Sequence, residues 1–297
     1  MTEALLIVNP SSGEEMATEY ATKVAEILKE QYDQVTVKET QKAGDAEDFA
    51  KTAARNHIDA VFVMGGDGTV NEGVSGLAEE DYRPDFGFIP LGTVNDLGRA
   101  LGISMNPEEA IEELRHLKKE KMDVGKINEH YFIDVVAVGV IPRAVSNVDP
   151  DQKTRFGAFA YFMEGAKALR ESESFTFHLT IDGEELVEES MVLLVSLSNS
   201  VGGFEKLVPQ AKVDDGKLHL TLLKGNKLLD KLALLPKVFS GEVTDDQQIV
   251  YRAFEKGHIA IKNDIEMTAN VDGDEGDALP LDLMILPQHL TVLVPGK

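Results

Sequence analysis

The chain has 297 residues, a net charge of −23 and no cysteine. That length accommodates two domains, each with its own core. The charge argues against nucleic-acid binding and against broad adhesion to anionic lipid, and the missing cysteine excludes disulfides and thiolate metal sites. No basic-then-apolar leader precedes the first apolar run, and no apolar stretch has the length of a membrane span. A cytoplasmic protein without a transmembrane segment is the expectation, one that touches a membrane surface only transiently.

In the first third, strand and helix patterns alternate. Residues 5–8 read as a strand, 14–31 as a helix, 35–37 as a strand, and 45–56 as a helix capped by Asp45. Residues 60–64 and 86–90 follow as strands, and 107–119 as a helix with Pro107 in its first turn. Such alternation predicts a parallel sheet flanked by helices, with ligands at the carboxyl ends of the strands. From about Val124 strands dominate: 130–139, 175–181, 188–198, 217–223, 257–261, 266–271 and 281–285, with helices only at 156–171 and 228–239. Short turns such as Asp182-Gly183 point to an antiparallel β-sandwich. The predicted domains are therefore 1–123, α/β and nucleotide-binding, and 124–297, a β-sandwich.

The most specific motif is Gly65-Gly66-Asp67-Gly68-Thr69-Val70-Asn71-Glu72, directly after an apolar strand. Glycines there let backbone amides approach an anion, and an aspartate among them makes sense if a divalent cation bridges it to phosphate. Two further strand ends add donors. One is Asn9-Pro10-Ser11-Ser12-Gly13. The other is the segment from Pro90 to Arg99, which contains Thr93, Asn95 and Asp96. A plain turn explains the first as well, and a helix cap explains Asp96. Together the three loops predict a magnesium-nucleotide site and phosphoryl transfer.

These motifs, with Pro209-Gln-Ala-Lys-Val-Asp-Asp-Gly216 and Asn270-Val-Asp-Gly-Asp274, make the chain resemble the diacylglycerol kinase catalytic family, in particular the soluble bacterial lipid kinases. The resemblance implies an α/β domain followed by a β-sandwich. It implies ATP contacts at Asn9, Pro10, Ser11, Ser12, Gly13, Thr40, Gly66, Asp67, Gly68, Thr69, Val70, Asn71, Glu72 and Thr93. Asp67 and Asp96, with Asp123 beside them, match carboxylates tied to the catalytic Mg2+. Asp215, with the carbonyls of Lys212 and Lys217, matches a second, structural Mg2+ site, although Asp214-Asp215-Gly216 would otherwise pass for a hairpin turn.

Asp272 and Asp274 are the expected catalytic carboxylates of the second half, on one face if strand geometry persists through Gly273. The family usually has Asp-Gly-Glu here; this chain has Asp-Gly-Asp-Glu, so either Asp274 or Glu275 is the base. Other departures are Glu14-Glu15, where relatives often carry a lysine, and Asp134, more often asparagine. The function implied is ATP-dependent phosphorylation of a lipid hydroxyl, by default that of diacylglycerol. The alternatives are a kinase of another lipid or of a soluble acceptor such as NAD, and a nucleotide-binding regulator. Residues 141–170 carry a local excess of cations with Phe156, Phe159, Tyr161, Phe162 and Met163. Core packing accounts for them; an interfacial dock for lipid is the sharper reading. An exposed edge strand of the sandwich could also pair across a two-fold, giving a homodimer.

Overall fold

The computed structural model describes residues 1–13, 16–139, 174–203, 208–224, 249–262 and 266–296. Contacts divide the chain into two units, Met1–Val124 with Pro287–Lys297, and Gly125–Leu286. The helices expected at 156–171 and 228–239, the 141–170 segment and Glu14-Glu15 lie outside the described residues.

The first unit runs β1 (Glu3–Val8), α1 (Ala17–Leu28), β2 (Gln34–Glu39), α2 (Asp45–Arg55), β3 (Ala60–Gly65), α3 (Asp67–Ala78), β4 (Asp85–Pro90), α4 (Asp96–Ala100), α5 (Pro107–Glu113) and the start of β5 (Leu117–Ile127). Its parallel strand order is β4–β3–β1–β2. Strands β1 and β3 read as unbroken apolar runs because helices cover both faces of a parallel sheet. Leu6, Ile7, Val8, Phe62, Val63 and Met64 are fully buried, whereas the edge strand β2 leaves Val37 exposed. Helix α2 fills its inner stripe with Ala46, Ala50, Ala53 and Ala54, small enough for close helix packing.

Two local boundaries differ from the sequence reading. Asp45 is the first residue of α2 rather than its cap; Gly44 takes the cap position, and the Asp45 carboxylate instead accepts the amides of Gln41 and Lys42. Helix α5 stops at Glu113, and Leu117 already belongs to β5, which pairs with the last strand of the chain.

The second unit continues with β6 (His130–Phe132), β7 (Val135–Gly139), β8 (Phe175–Ile181), β9 (Glu184–Ser196), β10 (Leu218–Lys224), β11 (Ile249–Phe254), β12 (Lys256–Ile261), β13 (Thr268–Val271), β14 (Asp274–Ala278) and β15 (Leu281–Pro295). The neighbours run β14–β13–β7–β9–β8–β12–β15, with β10 between β9 and β11. The pairings are antiparallel, as expected for a sandwich. Alternate residues of each strand point inward. Phe177, Leu179 and Ile181 of β8 thus join Leu193, Val195, Leu218, Leu220 and Phe254 in one core. The opposite face of β9 sends Val192 into a second cluster with Val201, Val208 and Ile249. Burial on both faces explains why residues 191–197 lack the polar alternation of a one-sided strand.

Asp182-Gly183 is a two-residue hairpin loop as expected, with φ of 49° and 86° and Ile181 opposite Glu184. The final strand does not stop at residue 285. It runs to Pro295, and its later residues lie in the first unit, where Val292 pairs in parallel with Phe86 of β4. On that leg His289 donates to the carbonyl of Ala78, at the end of α3. Among the described residues, no helix is long and apolar enough to cross a membrane.

Candidate active site

Three strand ends of the first unit meet. After β1 the Asn9 amide donates to the Met64 carbonyl of β3. The Asn9 side chain splits its two ends: Nδ2 donates to Thr69 Oγ1 at 3.0 Å, and Oδ1 accepts the Ser11 amide and hydroxyl at 3.1 and 2.7 Å. Gly13, at φ 63°, donates its amide to the Leu91 carbonyl beyond β4. The Thr40 amide binds the carbonyl of Val8, which places Thr40 beside the end of β1.

The second strand end is not a free loop. Gly66 is the N-cap of α3, so Asp67, Gly68, Thr69, Val70, Asn71 and Glu72 form the first turns of a helix. No side chain caps it. Its first backbone N–H groups therefore lack intrahelical partners at the positive end of the helix dipole. Among these residues Val70 is buried in the core. Asn71 Oδ1 accepts the Ser75 hydroxyl, and Glu72 Oε2 accepts the Ala46 amide at 3.2 Å, in the first turn of α2. Glu72 thus supplies the cap that Gly44 cannot. Sequence reasoning missed this, because the two residues are close only in the fold.

The third strand end is built on Asn95, which adopts a left-handed conformation that asparagine tolerates (φ 54°, ψ 49°). Its side chain holds Gly92 from both sides, accepting the Gly92 amide at 2.8 Å and donating to the Gly92 carbonyl at 2.9 Å. That arrangement directs the Asn95 amide onto Asp67 Oδ2 at 2.9 Å. Arg99 Nε donates to the Val94 carbonyl, and Thr93 stays exposed at the loop tip.

The loops are in backbone contact. A Cβ on Gly92 would stand 2.7 Å from Asn95 Oδ1 and 2.8 Å from Gly66 Cα. Gly92→Ala is expected to force the two loops apart, at a cost of about 1–3 kcal/mol in fold stability. A thermal melt would read the loss. An alanine variant that melts as the wild type does would show that the contact is unimportant.

Burial pushes the Asp67 carboxyl up from the ordinary carboxylate range, and the charge of Asp96 pushes it the same way; the Asn95 amide works against both. Asp96 itself is 5% exposed. A half-buried Asp67 that feels the charge of a buried Asp96 makes a donor set that suits a hard divalent cation, whose charge would offset the desolvation. Asp123 is also buried, and its Oδ1 accepts the Gln288 amide of the returning strand at 2.6 Å.

The second unit holds the remaining candidates. Strand geometry does not persist through Gly273, contrary to the expectation that placed Asp272 and Asp274 on one strand face. Asp272 and Gly273 have φ of 50° and 98° and form the two-residue turn between β13 and β14, with Val271 opposite Asp274. Asp-Gly favours this turn because both residues must take positive φ. The Asp272 carboxylate is turned back onto the chain, where it accepts the amides of Ile133, Asp134 and Val135 at 2.8, 3.0 and 2.8 Å. Those contacts break the apparent strand 130–139 into β6 and β7. Asp274 opens β14 with an exposed side chain, and Glu275, next along the strand, points to the other face.

Asp215 lies in the turn before β10. Its Oδ2 accepts the Lys212 amide and Oδ1 the Lys217 amide, each at 3.0 Å. Burial raises its carboxyl, but the hydrogen bond and charge of His219 with the two amides outweigh that, so the net direction is down. The Lys217 ammonium is turned to Glu255 at 2.6 Å, leaving the backbone carbonyl as this residue's contribution to a cation. One ionised carboxylate and backbone carbonyls are the hard oxygen donors that Mg2+ takes, with water completing its shell.

Two family models match the chain. Residues 3–127 match the family model described as the diacylglycerol kinase catalytic domain. Residues 134–294 match the one described as the YegS C-terminal NAD kinase beta sandwich-like domain. A diacylglycerol kinase of Bacillus subtilis is 34% identical over 100% of this chain and 98% of its own length. One from Staphylococcus carnosus is 34% identical over 98% and 95%. The crystal structure of a diacylglycerol kinase from Bacillus anthracis superposes with a TM-score of 0.76 at 25% identity, covering 98% of this chain and 96% of that one. By its two matching domains and its full-length relatives, the chain belongs to the diacylglycerol kinase catalytic-domain family of lipid kinases, phosphotransferases that act on an alcohol group.

Proposed function

We propose that the chain transfers the γ-phosphoryl group of ATP to the hydroxyl of diacylglycerol, giving phosphatidic acid. The observation that carries the reading is the junction of the Gly66 and Gly92 backbones beside the half-buried Asp67 and the buried Asp96, at the uncapped start of α3. It supports a triphosphate seat because backbone N–H groups and a helix N-terminus favour an anion, while the carboxylates call for a cation between them and it. Asn9, Ser11, Ser12, Gly13, Thr40, Thr69 and Thr93 would supply the remaining nucleotide contacts. Asp67 and Asp96 would hold the catalytic Mg2+, which when bound neutralises phosphate charge. Asn95 keeps the Asp67 carboxylate oriented, and the paired glycine loops exclude side chains from the seat. Asp274 serves as the base that takes the acceptor proton, and the structural Mg2+ belongs to Asp215 with the carbonyls of Lys212 and Lys217. Substrate reaches the enzyme at a membrane surface that the protein touches without spanning.

Labelled ATP and Mg2+ should be offered with diacylglycerol, other lipid alcohols and NAD, and the labelled product identified. Label in phosphatidic acid is the expected result; label only in another lipid, in NAD or in free phosphate would replace the reading. Asp274→Asn should reduce turnover at least about 100-fold while Mg·ATP still binds. Undiminished turnover would remove Asp274 from the mechanism.

A further inference from the structure

The second unit carries a polar relay, centred on a buried histidine, that phosphoryl transfer itself does not use. It begins at Asp215 and runs into the sheet. His219 Nε2 lies 3.1 Å from Asp215 Oδ2, and its Nδ1 lies 2.7 Å from the hydroxyl of Tyr251. His219 is on β10, only 2% exposed, and Tyr251 is on the neighbouring strand β11. Ala253 stands directly opposite His219, so Tyr251 is the diagonal neighbour on the same sheet face. The two rings stack, with centroids 6.0 Å apart and planes 22° from parallel.

The direction of the relay follows from its ends. An ionised carboxylate only accepts, so Nε2 donates to Asp215, and in the neutral form of the ring Nδ1 presents a lone pair to which the Tyr251 hydroxyl donates. Burial, then the charge of Asp215, raises that hydroxyl above the usual range, which keeps it a donor.

A carboxylate offers about four lone-pair positions. Lys212, Lys217 and His219 occupy three of those on Asp215, two on Oδ2 and one on Oδ1. One position on Oδ1 is left. A carboxylate clamped in this way serves as a single-point ligand of fixed direction and is not free to swing. Among the described residues no group of three or more His, Asp or Glu side chains could hold a metal. The rest of a coordination shell at Asp215 would therefore come from carbonyl oxygens and water, the donors Mg2+ accepts.

We infer that His219 and Tyr251 are positioning residues which hold the Asp215 carboxylate in its ligating orientation for a divalent cation at the Lys212–Lys217 turn. The inference rests on the metal reading of Asp215 given above. Residues that orient a ligand from behind typically account for 10- to 100-fold in metal affinity.

The test is Mg2+ binding to the folded full chain without nucleotide. Metal-stripped wild type, Asp215→Asn, His219→Leu, His219→Gln and Tyr251→Phe are titrated by calorimetry and by the Mg2+-dependent rise in Tm. Wild type should show a saturable response that Asp215→Asn lacks. His219→Leu should weaken Mg2+ about tenfold or more. His219→Gln, whose side-chain amide can replace the Nε2–H donor, should regain most of the affinity; a role limited to packing would not be rescued in that way. Tyr251→Phe keeps the ring and loses only the hydroxyl, so it should fall between wild type and His219→Leu, and it carries the test if His219→Leu does not fold. Wild-type affinity in His219→Leu or Tyr251→Phe would overturn the inference, as would equal weakening in His219→Leu and His219→Gln. If wild type and Asp215→Asn bind Mg2+ alike, the metal reading of Asp215 itself fails, and that result is distinct from the others.

Discussion

Asp67→Asn is expected to reduce phosphoryl transfer on the order of 10³-fold, the scale of losing a main electrostatic stabiliser, and at the same time to stabilise the protein. The second half of that expectation comes from the carboxyl's raised pKa, caused first by burial and then by the charge of Asp96. A carboxyl with a higher pKa in the folded state than in the unfolded state holds its proton longer when folded. Stability therefore falls as pH rises from the ordinary carboxylate range through the folded value, and the full cost is present above it. Asparagine carries no charge to desolvate, and its Oδ1 can still accept the Asn95 amide. At neutral pH and without metal the variant should melt higher than the wild type. The gap should close as pH drops below the usual aspartate pKa. Thermal melts across pH 3 to 8 with parallel turnover measurements would check both halves, and a variant that melts lower at neutral pH would refute the assignment of strain to this charge.

Asp272→Ala is expected to damage the fold rather than the chemistry alone. Three backbone amides, those of Ile133, Asp134 and Val135, lose their acceptor at once. With part of this cluster buried, the cost should be about 2–4 kcal/mol. Urea unfolding of the variant gives the number directly. Asp274→Asn, two residues away but exposed at the start of β14, should change stability by less than about 0.5 kcal/mol. Comparable losses in the two variants would mean that the Asp272 clamp contributes little. The contrast separates two aspartates that look equivalent in the string Asp-Gly-Asp-Glu.

The α/β half was the more legible part of the chain. Its strands are buried on both faces, so residues 5–8 and 60–64 appear as bare apolar runs, and its candidate site residues are concentrated in contiguous motifs. The antiparallel half was legible as a class and less so in detail. Strand β14 is acidic and half exposed, so Asp274–Ala278 reads as a solvated turn until its pairing with β13 is seen. Strand β11 was also missed, although β10 pairs with it along its length. The metal reading of Lys212, Asp215 and Lys217 rests on family resemblance. The partners that orient Asp215, His219 and Tyr251, carry no motif and come together only across a strand pair.

The order of strand ends, the glycines at residues 65, 66 and 68 and the turn residues Asp182-Gly183 were determined by sequence alone, because each is a local demand of the backbone on the residue that meets it. Tertiary structure decided what each polar group does. It placed Asp272 on the β6–β7 break, Glu72 on the first turn of α2, and the leg Pro287–Lys297 beside β4. The reason is physical: a hydrogen bond or a strand pairing between residues distant along the chain depends on which surfaces the fold brings within about 3–5 Å, and local pattern carries no record of that distance.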